Sequence, residues 1–172
     1  MTDLPQSDEI IPATEIQAAL DRMAKEITAR LAHSNPLVIT VMNGGLVFAG
    51  QLLPRLAFAL EISYVHVRRY GADTQGGELV WIAGPQEPVM GRTVLLLDDI
   101  LDEGRTLATI RQRLLEQGAV EVLTAAFAVK ERAATAAIAA DFSGVRVPDR
   151  FVFGFGMDVA GRWRNLPSIR AL

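Results

Sequence analysis

Asp98, Asp99 and Asp102 fall within a few residues of one another, and Gly104-Arg105-Thr106 follows at once. The apolar run Thr93-Val94-Leu95-Leu96-Leu97 before them reads as a β-strand. In a parallel α/β sheet, ligands bind outside the carboxyl ends of the strands, so Asp98 and Asp99 reach that crevice as the strand stops. The turn after them suits an anion. Glycine lets the backbone approach a phosphate, the amides at the start of a helix point outward, and the helix dipole favours negative charge. Thr106 adds a hydroxyl. Carboxylates beside a phosphate cradle repel their ligand unless it also brings hydroxyls or a divalent metal. A sugar phosphate with Mg²⁺ meets both demands.

Five other groups of residues carry possible chemistry. Asn43-Gly44-Gly45 repeats the logic of a strand, small residues and a helix start, and reads either as a second anion turn or as a plain βα connection. The polar stretch Tyr70 to Gly77, entered through Arg68-Arg69, reads as a lid that excludes water from a reacting sugar, or as a surface hairpin loop. Lys130 ends an apolar run in a chain whose only other lysine is Lys25, the remaining cations of its 17 Lys and Arg being arginine. A compact ammonium there donates to a single carbonyl oxygen, or simply reaches for solvent from a strand end. Phe151, in the aromatic run Phe151-Val152-Phe153, is either core or a plate that stacks on a flat heterocycle. Asp158 and Arg164 beyond it could face a divalent cation and an anion, or are surface charge.

The elements that must position these groups alternate. Residues 1–9 read as a loose tail, and 12–32 as a helix whose stripe is Ile16, Leu20, Met23, Ile27 and Leu31. Leu37 to Met42 is a buried strand, 46–56 a helix, 61–67 and 78–82 strands, and 105–117 a helix ended by Gly118. A strand at 120–129, a short helix at 133–140, a strand at 151–155 and a short terminal edge piece complete the reading. This alternation predicts an α/β fold with a mainly parallel sheet, in one domain spanning 1–172.

Composition narrows the partners. Half of the 172 residues are apolar and 22% are charged, so a packed globular core is expected. The net charge of −3 offers no basic field for nucleic acid. The chain has no cysteine, which excludes disulfides and thiol catalysis and suits a reducing compartment. His33 and His66 lack metal-ligand spacing. No apolar stretch reaches membrane-spanning length, and the first residues are not a signal peptide, so no membrane partner and a cytoplasmic location are expected.

From Val94 to Thr106 the chain resembles the 5-phosphoribosyl-1-pyrophosphate (PRPP) motif of type I phosphoribosyltransferases: four apolar residues, two acids, two apolar residues, Asp, any residue, Gly, any residue, Thr. With the other blocks, from about Pro36 to Leu166, it resembles the hypoxanthine-guanine phosphoribosyltransferase family. That resemblance implies a type I phosphoribosyltransferase fold with a small hood near the C-terminus. It implies Asp98 and Asp99 on the ribose hydroxyls, directly or through Mg²⁺, and Asp102 as general base at purine N7. Glu103, Gly104, Arg105 and Thr106 would bind the 5′-phosphate, and Asn43, Gly44 and Gly45 the pyrophosphate with Arg164. Lys130 would donate to purine O6, Phe151 stack on the ring and the Val152 backbone read its edge, while Asp158 would serve a second Mg²⁺. Arg69 and Tyr70 would belong to the lid. A homodimer or homotetramer follows from the family alone.

Three departures stand out. Asn43 occupies a place where many members have Lys, Glu103 one where Thr is common, and Arg68-Arg69 one where Ser-Ser or Lys-Ser is frequent. A Glu103 side chain facing the phosphate would repel it, so it is expected to turn outward while its amide binds. Two rival readings stay open: a regulator of the same fold that binds RNA, and an adenine- or xanthine-preferring transferase.

Overall fold

A central strand, β5 (Thr93–Leu101), organises the molecule, because a run buried on both faces can only lie inside a sheet. The computed structural model describes residues 3–69, 79–131, 133 and 136–172, without the side chain of Arg69. β5 pairs in parallel with β2 (Leu37–Met42) on one side and β6 (Glu121–Lys130) on the other. β2 continues to β3 (Glu61–Arg69) and the antiparallel edge strand β4 (Leu79–Ala83), and β6 to β7 (Phe142–Val147). The order β4-β3-β2-β5-β6-β7 is mainly parallel, as expected.

Successive side chains alternate across the sheet. Val38, Leu95, Leu97 and Phe127 face α1 (Ala13–Leu31) and α2 (Gly45–Leu52), whereas Leu37, Ile39, Val94 and Leu96 face α3 (Arg105–Glu116). The predicted stripe of α1 is buried throughout: Ile16, Leu20, Met23, Ile27 and Leu31. Each contributes roughly 1.5–3 kcal/mol of hydrophobic free energy. α2 is shorter than expected. It gives way to a 3₁₀ turn at Leu53–Arg55, where Pro54 lacks the N–H that would continue the helix.

A second sheet caps the carboxyl end of the first. Its order is β1-β9-β8, from β1 (Asp8–Ile11), β9 (Ile169–Ala171) and β8 (Val152–Phe153), all antiparallel. This is the expected hood, with two corrections. Asp8 and Glu9, read as part of a loose tail, belong to β1, and the terminal piece read as an edge lies in the middle. Phe155 is buried and its ring packs against that of Phe127 at a tilt, 4.5 Å between centroids, which joins the segment after β8 to the core.

The helix expected at 133–140 is replaced at 136–140 by bends, because Ala137 donates to the carbonyl of Glu103 in the neighbouring loop instead of to its own turn. β7 has no counterpart in the sequence reading. Its Gly144 hides the strand pattern yet is needed there, since a Cβ would lie 2.4 Å from the carbonyl of Phe127.

Candidate active site

After β2 the chain turns outward to β3, and after β5 it turns the opposite way to β6, so the connections diverge between two adjacent parallel strands. Such a switch point opens a crevice at the carboxyl ends. Both predicted anion turns end there. A cavity of about 490 Å³ is lined by 41–44 and 98–107, with Val67 and Arg164 at its sides.

Close approach depends on missing side chains. A Cβ on Gly44 would lie 2.1 Å from the Asp99 carboxylate, and one on Gly156 2.2 Å from the Gly44 carbonyl. Gly156 also has φ of +106°, a conformation that L side chains rarely adopt. Three segments that are distant in sequence therefore meet, the backbones of Gly44 and Gly156 closing on each other and on the Asp99 side chain. Gly156 was absent from the sequence expectations.

Asp98 and Asp99 are buried, and the Asp98 carboxylate accepts the Asp99 N–H at 3.0 Å. Burial pushes the Asp98 carboxyl well above the usual carboxylate range, and the Asp99 charge pushes it further. Burial also raises Asp99, against the opposing pull of its hydrogen bond with Asp98 and the Arg164 charge. Arg164 lies 3.9 Å from Asp99, donates to the Gly156 carbonyl at 2.6 Å and pairs with Asp158 at 2.6 Å. Two buried carboxylates with one guanidinium at their margin favour a further cation.

Hard oxygen donors suit Mg²⁺. Among the described residues no group of three or more His, Cys, Asp or Glu could hold a metal ion, so the acid pair would hold one only together with oxygens of a ligand or water. Asp158, expected at a second metal, is occupied as a brace: it holds Arg164 and accepts the Gly161 N–H at 2.7 Å.

Gly104 caps α3 in a left-handed conformation, φ +70°, and aims the first turn of the helix at the cavity. The Glu103 carboxylate turns onto the Arg105 guanidinium, 3.3 Å away, and both remain about half in solvent. The side chain thus finds a cationic partner within the cradle. Thr106 lines the cavity as expected.

A second, smaller cavity of about 220 Å³ adjoins the first, with Asp99 and Asp102 in the lining of both. Its wall includes Lys130, Phe151, Val152, Met157 and Asp158. Phe151 lines this space and is 55% exposed, which decides against a core role. Lys130 is only 8% exposed, and its ammonium donates to the Arg150 carbonyl at 2.6 Å. Asp149 lies 3.7 Å from it and Asp102 4.0 Å. The structure therefore brings the expected groups together around the two cavities except Gly45, which lies against the Leu97 carbonyl and lines neither, and those of the lid: Arg69 contributes only the last backbone position of β3, and Tyr70 to Gly77 lies outside the described residues. Ile100 and Met157, neither of them expected, also line the small cavity.

Comparison with known proteins adds independent findings. A family model described as phosphoribosyl transferase domain matches residues 6–160. Hypoxanthine-guanine phosphoribosyltransferase of Bacillus subtilis is 35% identical over 95% of this chain and 91% of its own. The bifunctional protein TilS/HprT of Listeria innocua is 37% identical over 95% of this chain, which spans only 25% of that relative's length. A crystal structure of hypoxanthine phosphoribosyltransferase from Staphylococcus aureus superposes with a TM-score of 0.90 at 26% identity, covering 96% of this chain and 90% of the other.

Proposed function

Because this chain belongs to the phosphoribosyl transferase domain family, and within it to the hypoxanthine-guanine phosphoribosyltransferases, we propose that it transfers the phosphoribosyl group of PRPP to hypoxanthine or guanine. The products are IMP or GMP and pyrophosphate. The observation that carries this reading is the position of Asp102, in the wall shared by a cavity lined by the two glycine-containing turns and a smaller one with Lys130 and the exposed Phe151 in its wall.

The α3 amino end and Thr106 hold the 5′-phosphate, and the acid pair meets the ribose hydroxyls. Asn43 to Gly45 and Arg164 hold the pyrophosphate, stabilising the charge that grows as the bond to ribose breaks. Asp98 and Asp99 would hold Mg²⁺, which neutralises phosphate oxygens when bound. Phe151 stacks on the base, Lys130 donates to O6, and Asp102 accepts the N7 proton. We place the reaction in the cytoplasm and the enzyme in a homodimer or homotetramer, readings that rest on the family. Initial rates with hypoxanthine, guanine, xanthine and adenine at fixed PRPP test the proposal directly; transfer to none of them would end it.

Three further outcomes are expected. PRPP with Mg²⁺ at about a hundred times its Kd should raise Tm by roughly 5–10 °C, since a ligand bound only by the folded state stabilises it. EDTA should remove both that shift and turnover. Equal protection by PRPP without a divalent ion would mean that the acid pair needs no metal.

Arg164→Ala should weaken pyrophosphate and PRPP far more than the purine base. The guanidinium also braces Asp158 and the Gly156 carbonyl, so equal weakening of IMP and pyrophosphate would reveal a purely structural role. Gly44→Ala should displace the Asp99 carboxylate, which stands where the new methyl must go. Misplacement on this scale lowers kcat by about 10²-fold. Unchanged kinetics in that variant would show that Asp99 is dispensable where it stands.

A further inference from the structure

Lys130 has three N–H donors and no acceptor, and it is buried, so each donor needs an assigned direction. The Arg150 carbonyl takes one at 2.6 Å. Two carboxylates compete for the rest, from different parts of the chain: Asp102 in the loop after β5, at 4.0 Å, and Asp149 in the turn before β8, at 3.7 Å. Both distances lie within ion-pair range and beyond hydrogen-bonding range. The ammonium is therefore shared, and this sharing has a chemical consequence. An ammonium captured by Asp102 would turn its protons away from the base and cover the oxygen that must accept a proton.

We infer that Asp149 is a positioning residue, one that holds the Lys130 ammonium clear of Asp102 and aimed at the base; this rests on the 6-oxopurine reading above. Asp149 itself does not line the base cavity, so it acts through Lys130 and not by touching substrate. Its neighbour Arg150 supplies the main-chain acceptor, and the guanidinium of Arg150 is tied away from Lys130, to Asp8 and to the carbonyl of Leu172. The turn thus offers Lys130 one neutral acceptor and one charged counterweight.

The test is Asp149→Asn in the full chain, with steady-state rates in both substrates. KM for hypoxanthine should rise about fivefold, the upper worth of an ion pair whose carboxylate is half in water. KM for PRPP and Tm should not move, and Asp149→Glu should restore most of the loss. In a Lys130→Met background the Asn substitution should add nothing, because its route to the base is gone. An unchanged KM for hypoxanthine in Asp149→Asn, parallel rises in both KM values, or full additivity with Lys130→Met would each overturn the inference. A wild-type protein that transfers to no 6-oxopurine would instead remove the functional reading, and this inference with it.

Discussion

Asp102→Asn should keep the fold and the affinity for PRPP and lower kcat by about 10²–10⁴-fold, the usual worth of a positioned acid-base group. The amide has nearly the shape of the carboxylate, so the loop after β5 and the adjoining phosphate turn are left in place. What it cannot do is accept the N7 proton as the new glycosidic bond draws electrons from the base. Loss of the charge does not strand Lys130, which keeps the Arg150 carbonyl and Asp149. The phenotype is accordingly a kcat effect without a large fall in Tm. Turnover near that of the wild type at saturating substrate would take Asp102 out of the mechanism.

Adenine should be a poor substrate, by about 10⁴ in kcat/KM relative to hypoxanthine. The Lys130 ammonium can only donate, and adenine presents an amino group where a 6-oxopurine presents an acceptor. Donor would face donor in a pocket where Lys130 is nearly shielded from water, so the N–H aimed at the base and the adenine amino group would both lack an acceptor there. The protonated N1 of a 6-oxopurine, read by the Val152 carbonyl, widens the gap, because adenine carries a lone pair there. Lys130→Met should lower activity on hypoxanthine and narrow the preference. Conversion of adenine to AMP at comparable kcat/KM, or a Lys130→Met variant with intact preference, would sink the 6-oxopurine assignment and leave only the PRPP half.

The proposed phosphate end of this site was legible because its residues lie in one contiguous stretch, from the strand through Asp98, Asp99 and Asp102 to Thr106. Its local order and its tertiary placement coincide. Lys130 was legible from its rarity in a chain that otherwise uses arginine. The partners of Lys130 were not, since the Arg150 acceptor is a main-chain carbonyl and no side chain signals it. The contact of Gly156 with Gly44 joins residues remote in sequence and likewise leaves no periodic trace. The hood strands are too short for alternation to register, and β1 opens with Asp8-Glu9, which read as solvent-exposed tail. Residues 136–140, within the alanine-rich stretch expected as a helix, show the opposite failure: local propensity favoured a helix, and the hydrogen bond from Ala137 to the Glu103 loop overrode it.

The hood joins Asp8 to Ala171 and Glu9 to Arg170, the widest separations along the chain of any strand pairing in the fold. Closing so long a loop yields no contact energy until its ends meet, so this sheet is expected to assemble late and to open first in native-state fluctuations. The parallel core, with the acid pair and the phosphate turn, has no such dependence. The smaller cavity, whose wall takes Val152 from the hood, is thus completed after the larger one, and hydrogen exchange should find β1 and β9 less protected than β5.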